Sequence, residues 1–157
     1  MAANSEENFT WSDRFLIGHE AMDATHREFV DIVGAMLSAP DRELGRLLDT
    51  FADHAERHFE EERKSMLATD FPAAQCHIDE HSAVLASVHE VRALMAAGGN
   101  EATCRALARE LSRWFSGHAD YMDASLAQWL VKKRTGGIPV VLRRSKSPDA
   151  PVEPAQH

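Results

Sequence analysis

Apolar side chains recur every three to four positions in four long segments, the pattern of helices that bury one face. Proline and paired glycines separate the segments, because these residues interrupt a helix. Asp41 is the expected N-cap of the second helix. The predicted helices cover about residues 19–38, about residues 42–68, the stretch from Pro72 to Gly98-Gly99, and the stretch from about residue 100 to a point before Gly136.

The short links between these segments favour antiparallel neighbours, so the sequence predicts an all-α protein, an up-down-up-down four-helix bundle. Residues 1–18 are interpreted as an N-terminal arm packed across the outside, and residues 19–130 as the bundle. Residues 131–157 are predicted to form a basic, disordered, flexible C-terminal tail. With 157 residues, 44% of them hydrophobic, the chain is expected to build one domain with one sizeable core.

The formal net charge of -8 is unevenly distributed. Residues 131–157 carry six basic and two acidic residues, a net charge of +4, which leaves -12 on residues 1–130. An acidic body argues against nucleic acid as a partner. The basic tail could bind an unknown protein partner, although a solvated tail is the simpler interpretation. The oligomeric state has no signal in the sequence.

Several ordinary signals are missing from the sequence. The first residues lack the basic start and apolar run of a signal peptide, and no apolar run is long enough to cross a membrane. Cys76 and Cys104 are far apart and form no CxxC motif, which argues against a disulfide framework as the basis of the fold. The cytoplasm is therefore the expected location.

The spacing of the histidines suggests chemistry. His58 and Glu62 are four residues apart, as are His77 and His81, so each pair lies on one helix face, among apolar neighbours. One such pair arises easily by chance, but two on neighbouring helices rarely do. With His26 on the first helix and His118 on the fourth, each helix offers a ligand to a metal site in the bundle core.

Asp123 is a less obvious candidate. It follows His118 by five residues, so on an ideal helix it would point about 140° away. A π-bulge would bring the two side chains together, and such bulges are frequent at functional sites. Periodicity alone would not select Asp123 over Asp120.

These motifs resemble those of the hemerythrin family. The segments HREF (26–29), HFEEE (58–62), HIDEH (77–81) and HADYMD (118–123) match its pattern of a lone His, HxxxE, HxxxH and HxxxxD. The resemblance covers roughly residues 9–130, includes Phe9 and Trp11, and is greatest to the bacterial single-domain members.

The resemblance implies two iron ions, bridged by an oxo or hydroxo group, that bind dioxygen reversibly for storage, delivery or sensing. It implies that His77, His81 and His118 bind one iron and that His26 and His58 bind the other. Glu62 and Asp123 would bridge the two ions. Ala119 stands where many members carry a larger aliphatic residue, and this difference is expected to widen access to the site.

A dry apolar wall would slow the oxidation of the irons. The expected wall residues are Phe29, Phe59, Met66 and Trp114, although ordinary core packing explains them equally well. His54 and His89 are interpreted as core or surface residues. Glu60, Glu61 and Glu80 are expected to face solvent, and both cysteines are treated as exposed.

Three other functions are compatible with a helical bundle of this kind. Di-iron oxidases or peroxidases use carboxylate-rich sites with Glu-x-x-His pairs, whereas this chain has no Glu-x-x-His. A redox, nitric oxide or iron sensor would usually carry an output domain, and only the short tail follows the bundle. A purely structural bundle does not explain the complete ligand set. The sequence therefore favours a carrier and not an enzyme.

Overall fold

The computed structural model of the chain describes residues 8–136, which form α-helices with no β-strand among them. A short 3-10 turn at Asp13–Phe15 precedes the first helix. A π-helical turn at Ala119–Asp123 joins the last two helices without a break, so that they act as one rod. The helices are α1 (Glu20–Ser38), α2 (Asp41–Ala68), α3 (Ala74–Ala96), α4 (Glu101–His118) and α5 (Ala124–Arg134).

The helices form the predicted antiparallel four-helix bundle. Short links at residues 39–40, 69–73 and 97–100 reverse the chain between successive rods. Each of the first three helices packs on the next, and α1 also packs against α4, which closes the ring. Short connections leave no alternative to antiparallel neighbours, so the predicted fold class is confirmed.

Side-chain caps explain two of the helix starts. The Nδ1 atom of His19 accepts a hydrogen bond from the Met22 amide at 3.3 Å, and Asn100 Oδ1 accepts one from the Thr103 amide at 3.1 Å. Both caps satisfy amides that have no partner within the helix.

Two predicted helix starts are corrected by one or two residues. Pro40 is the N-cap of α2, so Asp41 is the first helical residue and not the cap. Pro72 precedes α3 by two residues, because a turn at residues 72–73 separates it from the helix.

The buried apolar residues form two clusters. Phe29, Phe59 and Phe115 belong to the larger cluster, whereas Met22 and Met66 belong to the smaller one. On α1 and α2, His26, His58 and Glu62 lie in sequence between members of the two clusters. Along the rod of α4 and α5, Asp123 likewise lies between Ala119 of the larger cluster and Leu126 of the smaller one. A belt of polar residues therefore crosses the core between two apolar layers.

Residues 8–18 lie along the bundle through aromatic contacts. The ring of Phe9 lies 5.7 Å from that of Phe15 and 6.0 Å from that of Phe115, in edge-to-face geometry. The backbone carbonyl of Phe9 approaches Gly34 so closely that a Cβ atom there would overlap it. The absence of a side chain at Gly34 therefore lets the arm reach α1.

Other sequence expectations have mixed outcomes. Cys76 is exposed as expected, but Cys104 is buried in the larger cluster, so the expectation of two exposed cysteines is wrong. Helix α5 runs to Arg134, so the first four residues of the predicted tail at 131–157 are helical. Residues 137–157 of that tail lie outside the described residues, as do residues 1–7. In the range 8–136 no helix is both long enough and apolar enough to span a membrane.

We expect Gly34→Ala to destabilise the protein by about 1–3 kcal/mol, because the added methyl group must displace the backbone of Phe9. Gly45→Ala on α2 is the matched control, since a methyl group added there would meet no neighbouring part of the fold within 4 Å. The control should stabilise the helix by about 0.5–1 kcal/mol. Urea unfolding of both variants measures the difference, and equal stabilisation by both would contradict the close packing of the arm.

Candidate metal centre

The seven side chains predicted as ligands come together in the polar belt, and each residue is 1–8% exposed. They form two groups that share Glu62, and the donor atoms within each group lie within 4.8 Å of one another. Metal–nitrogen bonds of about 2.0–2.1 Å place opposite donors about 4 Å apart, so this spacing fits an ion at the centre of each group. One group contains Glu62, His77, His81, His118 and Asp123, and the other contains His26, His58 and Glu62.

The π-helical turn brings Asp123 into the cluster. Its extra residue per turn lets side chains five apart meet, and Asp123 Oδ1 lies 3.1 Å from His118 Nε2. Asp120, the alternative on an ideal helix, is exposed. The π-bulge inferred from the sequence is therefore present, and the awkward five-residue spacing has a structural explanation.

Both carboxylates contact histidines of the two groups. Glu62 Oε1 lies 3.2 Å from His58 Nε2, and its Oε2 lies 3.2 Å from His77 Nε2. Asp123 Oδ2 lies 2.9 Å from His26 Nε2, and its Oδ1 lies 3.1 Å from His77 Nε2. Each carboxylate therefore stands between the groups, where its two oxygens can serve two different ions.

Several of these buried atoms are close to one another without being hydrogen-bonded. His26 Nε2, His77 Nε2, Asp123 Oδ1 and both Glu62 carboxylate oxygens lack a partner of acceptable hydrogen-bond geometry, despite the short distances. An unpaired polar atom in a protein core costs free energy. A cation among these atoms removes that cost, and five imidazoles with two carboxylates are a donor set that suits iron. The residues therefore fit a metal centre.

Burial keeps two of the histidines neutral and ready to bind a metal. It is the main reason that the pKa of His58 falls to about 3 and that of His81 to about 2. The nearby imidazoles of His26 and His118, respectively, lower these pKa values further. A neutral imidazole can offer a nitrogen lone pair to an ion.

Among the other members of the cluster, His77 keeps a proton when no metal is bound, and the pKa values of the two carboxyl groups shift in opposite directions. Burial lowers the pKa of His77, but close contact with the carboxylates of Asp123 and Glu62 outweighs it and raises the pKa to about 9. Burial also disfavours ionised Asp123, yet contact with His118, His26 and His77 holds its pKa well below the ordinary value. Burial, reinforced by the charge of Asp123, raises the pKa of Glu62. A metal ion would take the place of the His77 proton.

Aromatic rings cover one side of the cluster. Phe59 stacks on the His81 ring at a centroid distance of 3.7 Å, and Trp114 stacks on the His118 ring at 4.3 Å. Phe29 lies one layer further out, because it stacks on Phe115 at 4.9 Å. Met66 is fully buried in the smaller cluster. Three of the four predicted wall residues are thus buried in the core, and the fourth, Trp114, is partly buried and packs against it. Phe59 and Trp114 contact ligand rings.

A cavity of about 160 Å³ reaches the cluster from another side. Its wall includes His58 and Glu62, but none of the four predicted wall residues. Ala119, where wider access was expected, is buried and does not line it. The cavity therefore leads to the group with fewer protein donors. Its lining residues are His19, Ala21, Met22, Thr25, His58, Glu61, Glu62, Ser65, Leu126 and Leu130.

Glu80 is a site residue that the sequence reasoning missed. It was expected to face solvent, but its Oε1 accepts hydrogen bonds from Trp114 Nε1 at 2.8 Å and from His118 Nδ1 at 2.9 Å. That expectation is wrong because Glu80 lies on the flank of α3 that faces α4. Its place directly before His81, within the HIDEH motif, was the available signal.

The other histidines among residues 8–136, which are His19, His54 and His89, are outside the donor groups. His54 is buried, with Nδ1 3.3 Å from the Glu28 carboxylate, and its ring stacks near that of His58. His89 pairs with Glu56 at 3.0 Å on the surface, as expected. The contact of His54 with Glu28 and that of His89 with Glu56 explain the positions of these two histidines without a metal.

Comparisons with known proteins agree with this geometry. The family described as hemerythrin HHE cation binding domain matches residues 17–130. A bacteriohemerythrin of Ralstonia nicotianae is 41% identical over 123 residues, which cover 78% of this chain and 89% of that protein. No solved structure matches the chain.

We expect the affinity for a divalent metal to rise with pH up to about 9, because the metal must displace the proton of His77. If the pKa of His77 had the ordinary value of 6.5, the metal affinity would stop rising just above pH 6.5. Cobalt titration against a chelator, corrected for the chelator's own protonation, measures this dependence. His89→Ala should leave the profile unchanged. A plateau just above pH 6.5 would contradict the assigned proton.

Proposed function

The chain belongs to the hemerythrin family, and from this membership we propose that its buried cluster holds two iron ions and binds dioxygen reversibly. The observation that carries the proposal is the unequal division of the donors. One group has five donor residues and the other has three, with Glu62 in both. An ion in the smaller group would keep room for an external ligand, which is what a binding site needs.

The proposed roles follow the distances between donors. His77, His81 and His118 would hold one iron, and His26 and His58 would hold the other. Glu62 and Asp123 would bridge the two, because each carboxylate contacts histidines of both groups. When bound, two ferrous ions supply the two electrons that dioxygen takes up on binding and returns on release.

The surrounding residues favour reversible binding over turnover. The rings of Phe59 and Trp114 exclude water from the side of His81 and His118. Without nearby water and mobile protons, reduced oxygen is not readily lost from the site. The cavity beside His58 and Glu62 gives a small molecule a path to the group with fewer donors. Five histidines against two carboxylates also differ from the carboxylate-rich sites of ferritin-like oxidases.

The direct test is the visible spectrum of anaerobically iron-loaded protein, cycled between dioxygen and argon while iron per chain is counted. We expect two irons per chain, with a charge-transfer band that appears under dioxygen and fades under argon over repeated cycles. His58→Ala should lower the iron count and abolish the band, whereas His89→Ala, at an exposed site, should do neither. A single irreversible oxidation would instead support an oxidase or a redox sensor.

A second test concerns the aromatic wall. We expect Phe59→Leu to autoxidise about tenfold faster than the parent, because the ring that stacks on His81 shields the site from water. Phe71→Leu is the matched control, since Phe71 is similarly buried but contacts Trp129 and no ligand ring. The rate is the decay of the oxygenated band in air. Equal acceleration in both variants would assign the effect to general loosening of the core.

A further inference from the structure

Glu80 occupies an unusual position relative to the cluster. It lies on α3 between His77 and His81, yet it belongs to neither group of converging donors. Its Oε1 instead accepts two hydrogen bonds from α4, one from the Trp114 indole and one from the His118 imidazole. The side chain is 37% exposed, so this carboxylate connects the cluster with the surface of the protein.

The contact with His118 fixes which nitrogen faces the cluster. An ionised carboxylate can only accept hydrogen bonds, so His118 Nδ1 must carry a proton. The opposite nitrogen, Nε2, lies 3.0 Å from His81 Nε2 and 3.1 Å from Asp123 Oδ1, inside the five-donor group. Glu80 therefore holds the imidazole in the orientation that presents Nε2 to a metal.

The same oxygen fixes the ring that covers His118. Trp114 lies one helical turn before His118, and its ring is tilted by only 25° from the imidazole at 4.3 Å. Loss of the indole hydrogen bond would free the Trp114 ring to rotate away from His118. One carboxylate oxygen thus controls both a proposed ligand and part of its apolar cover.

We propose that Glu80 is a positioning residue that sets how strongly His118 donates electrons to its metal and keeps Trp114 closed over it. A negative charge on the Nδ1–H side makes the imidazole a stronger donor at Nε2. A stronger donor favours the ferric over the ferrous state, so Glu80 lowers the reduction potential of the pair and favours dioxygen uptake. The part that concerns iron rests on the proposed function, whereas the part that concerns geometry does not.

Two substitutions separate the charge of Glu80 from its hydrogen bonds. Glu80→Gln retains an oxygen that can accept from both donors but removes the charge, and Glu80→Ala removes both. Asp79→Asn is the matched control. It deletes the same charge from the preceding residue of α3, whose exposed carboxylate contacts Gln75 and no cluster residue.

The first measurement needs neither iron nor dioxygen. In zinc-loaded protein, nitrogen-15 NMR reports the Trp114 indole and the His118 Nδ1–H. We expect both hydrogen-bonded signals to be lost in Glu80→Ala and retained in Glu80→Gln and Asp79→Asn. Cobalt affinity should fall about 10–100-fold in Glu80→Ala, less in Glu80→Gln, and not at all in Asp79→Asn.

The second measurement is the reduction potential of the iron-loaded protein. It should rise in both Glu80 variants, which lack the charge, and stay unchanged in Asp79→Asn. A matching loss of dioxygen affinity should occur in the two Glu80 variants and not in Asp79→Asn. Equal potentials and cobalt affinities in the parent and both Glu80 variants would overturn the proposal, even if the Trp114 signal moved. Shifted zinc and cobalt results in a protein that never releases dioxygen would instead refute the proposed function and leave the role of Glu80 intact.

Discussion

The burial of two carboxylates and five imidazoles in the middle of a helical core is the constraint on which the rest of the structure depends. Glu62 and Asp123 are 5% and 1% exposed, and neither has a basic Lys or Arg among the close contacts that the structure shows. Charges in such a place need a compensating cation. In the absence of metal, a proton on His77 supplies part of that compensation, since contact with the carboxylates raises its pKa to about 9 against the effect of burial. Contact with Asp123 raises the pKa of His118 in the same direction.

This constraint explains the layered core. Apolar side chains cannot offer hydrogen bonds or charge to the polar belt, so they form one cluster on each side of it. Phe59 and Phe115 from the larger cluster contact the belt with ring faces and edges, on His81 and on His26. Aromatic rings can meet imidazoles in this way and keep water out without competing for the donor nitrogens. The core therefore stabilises the polar belt by enclosing it, while the nitrogens remain directed inward.

Much of this arrangement could be predicted from the sequence, because the periodicity of apolar residues marks each helix and the four-residue spacing places His58 with Glu62 and His77 with His81. Asp123 could not be predicted from ideal helical periodicity, because it joins the cluster only through the π-helical turn. In the sequence, only the family motif favoured Asp123 over Asp120 as a ligand. Glu80 could not be predicted, because a glutamate on the flank of a helix looks the same in sequence whether it meets solvent or a neighbouring helix. Cys104 was misjudged for the same reason: its burial depends on how α4 is rotated against the other helices.

The position of Glu80 bears on the proposed choice between reversible binding and catalysis. An oxidase must deliver protons and electrons to reduced oxygen and let the product leave, which requires polar groups on the oxygen side of its metals. Here the rings of Phe59 and Trp114 cover the five-donor group, and the carboxylate of Glu80 lies behind His118, on the side away from the donor nitrogens. A charge in that position can tune how readily the metal gives up electrons, but it cannot hand a proton directly to a ligand on the far side of the imidazole. Under the proposed function, Glu80 would therefore adjust the equilibrium between uptake and release of the ligand.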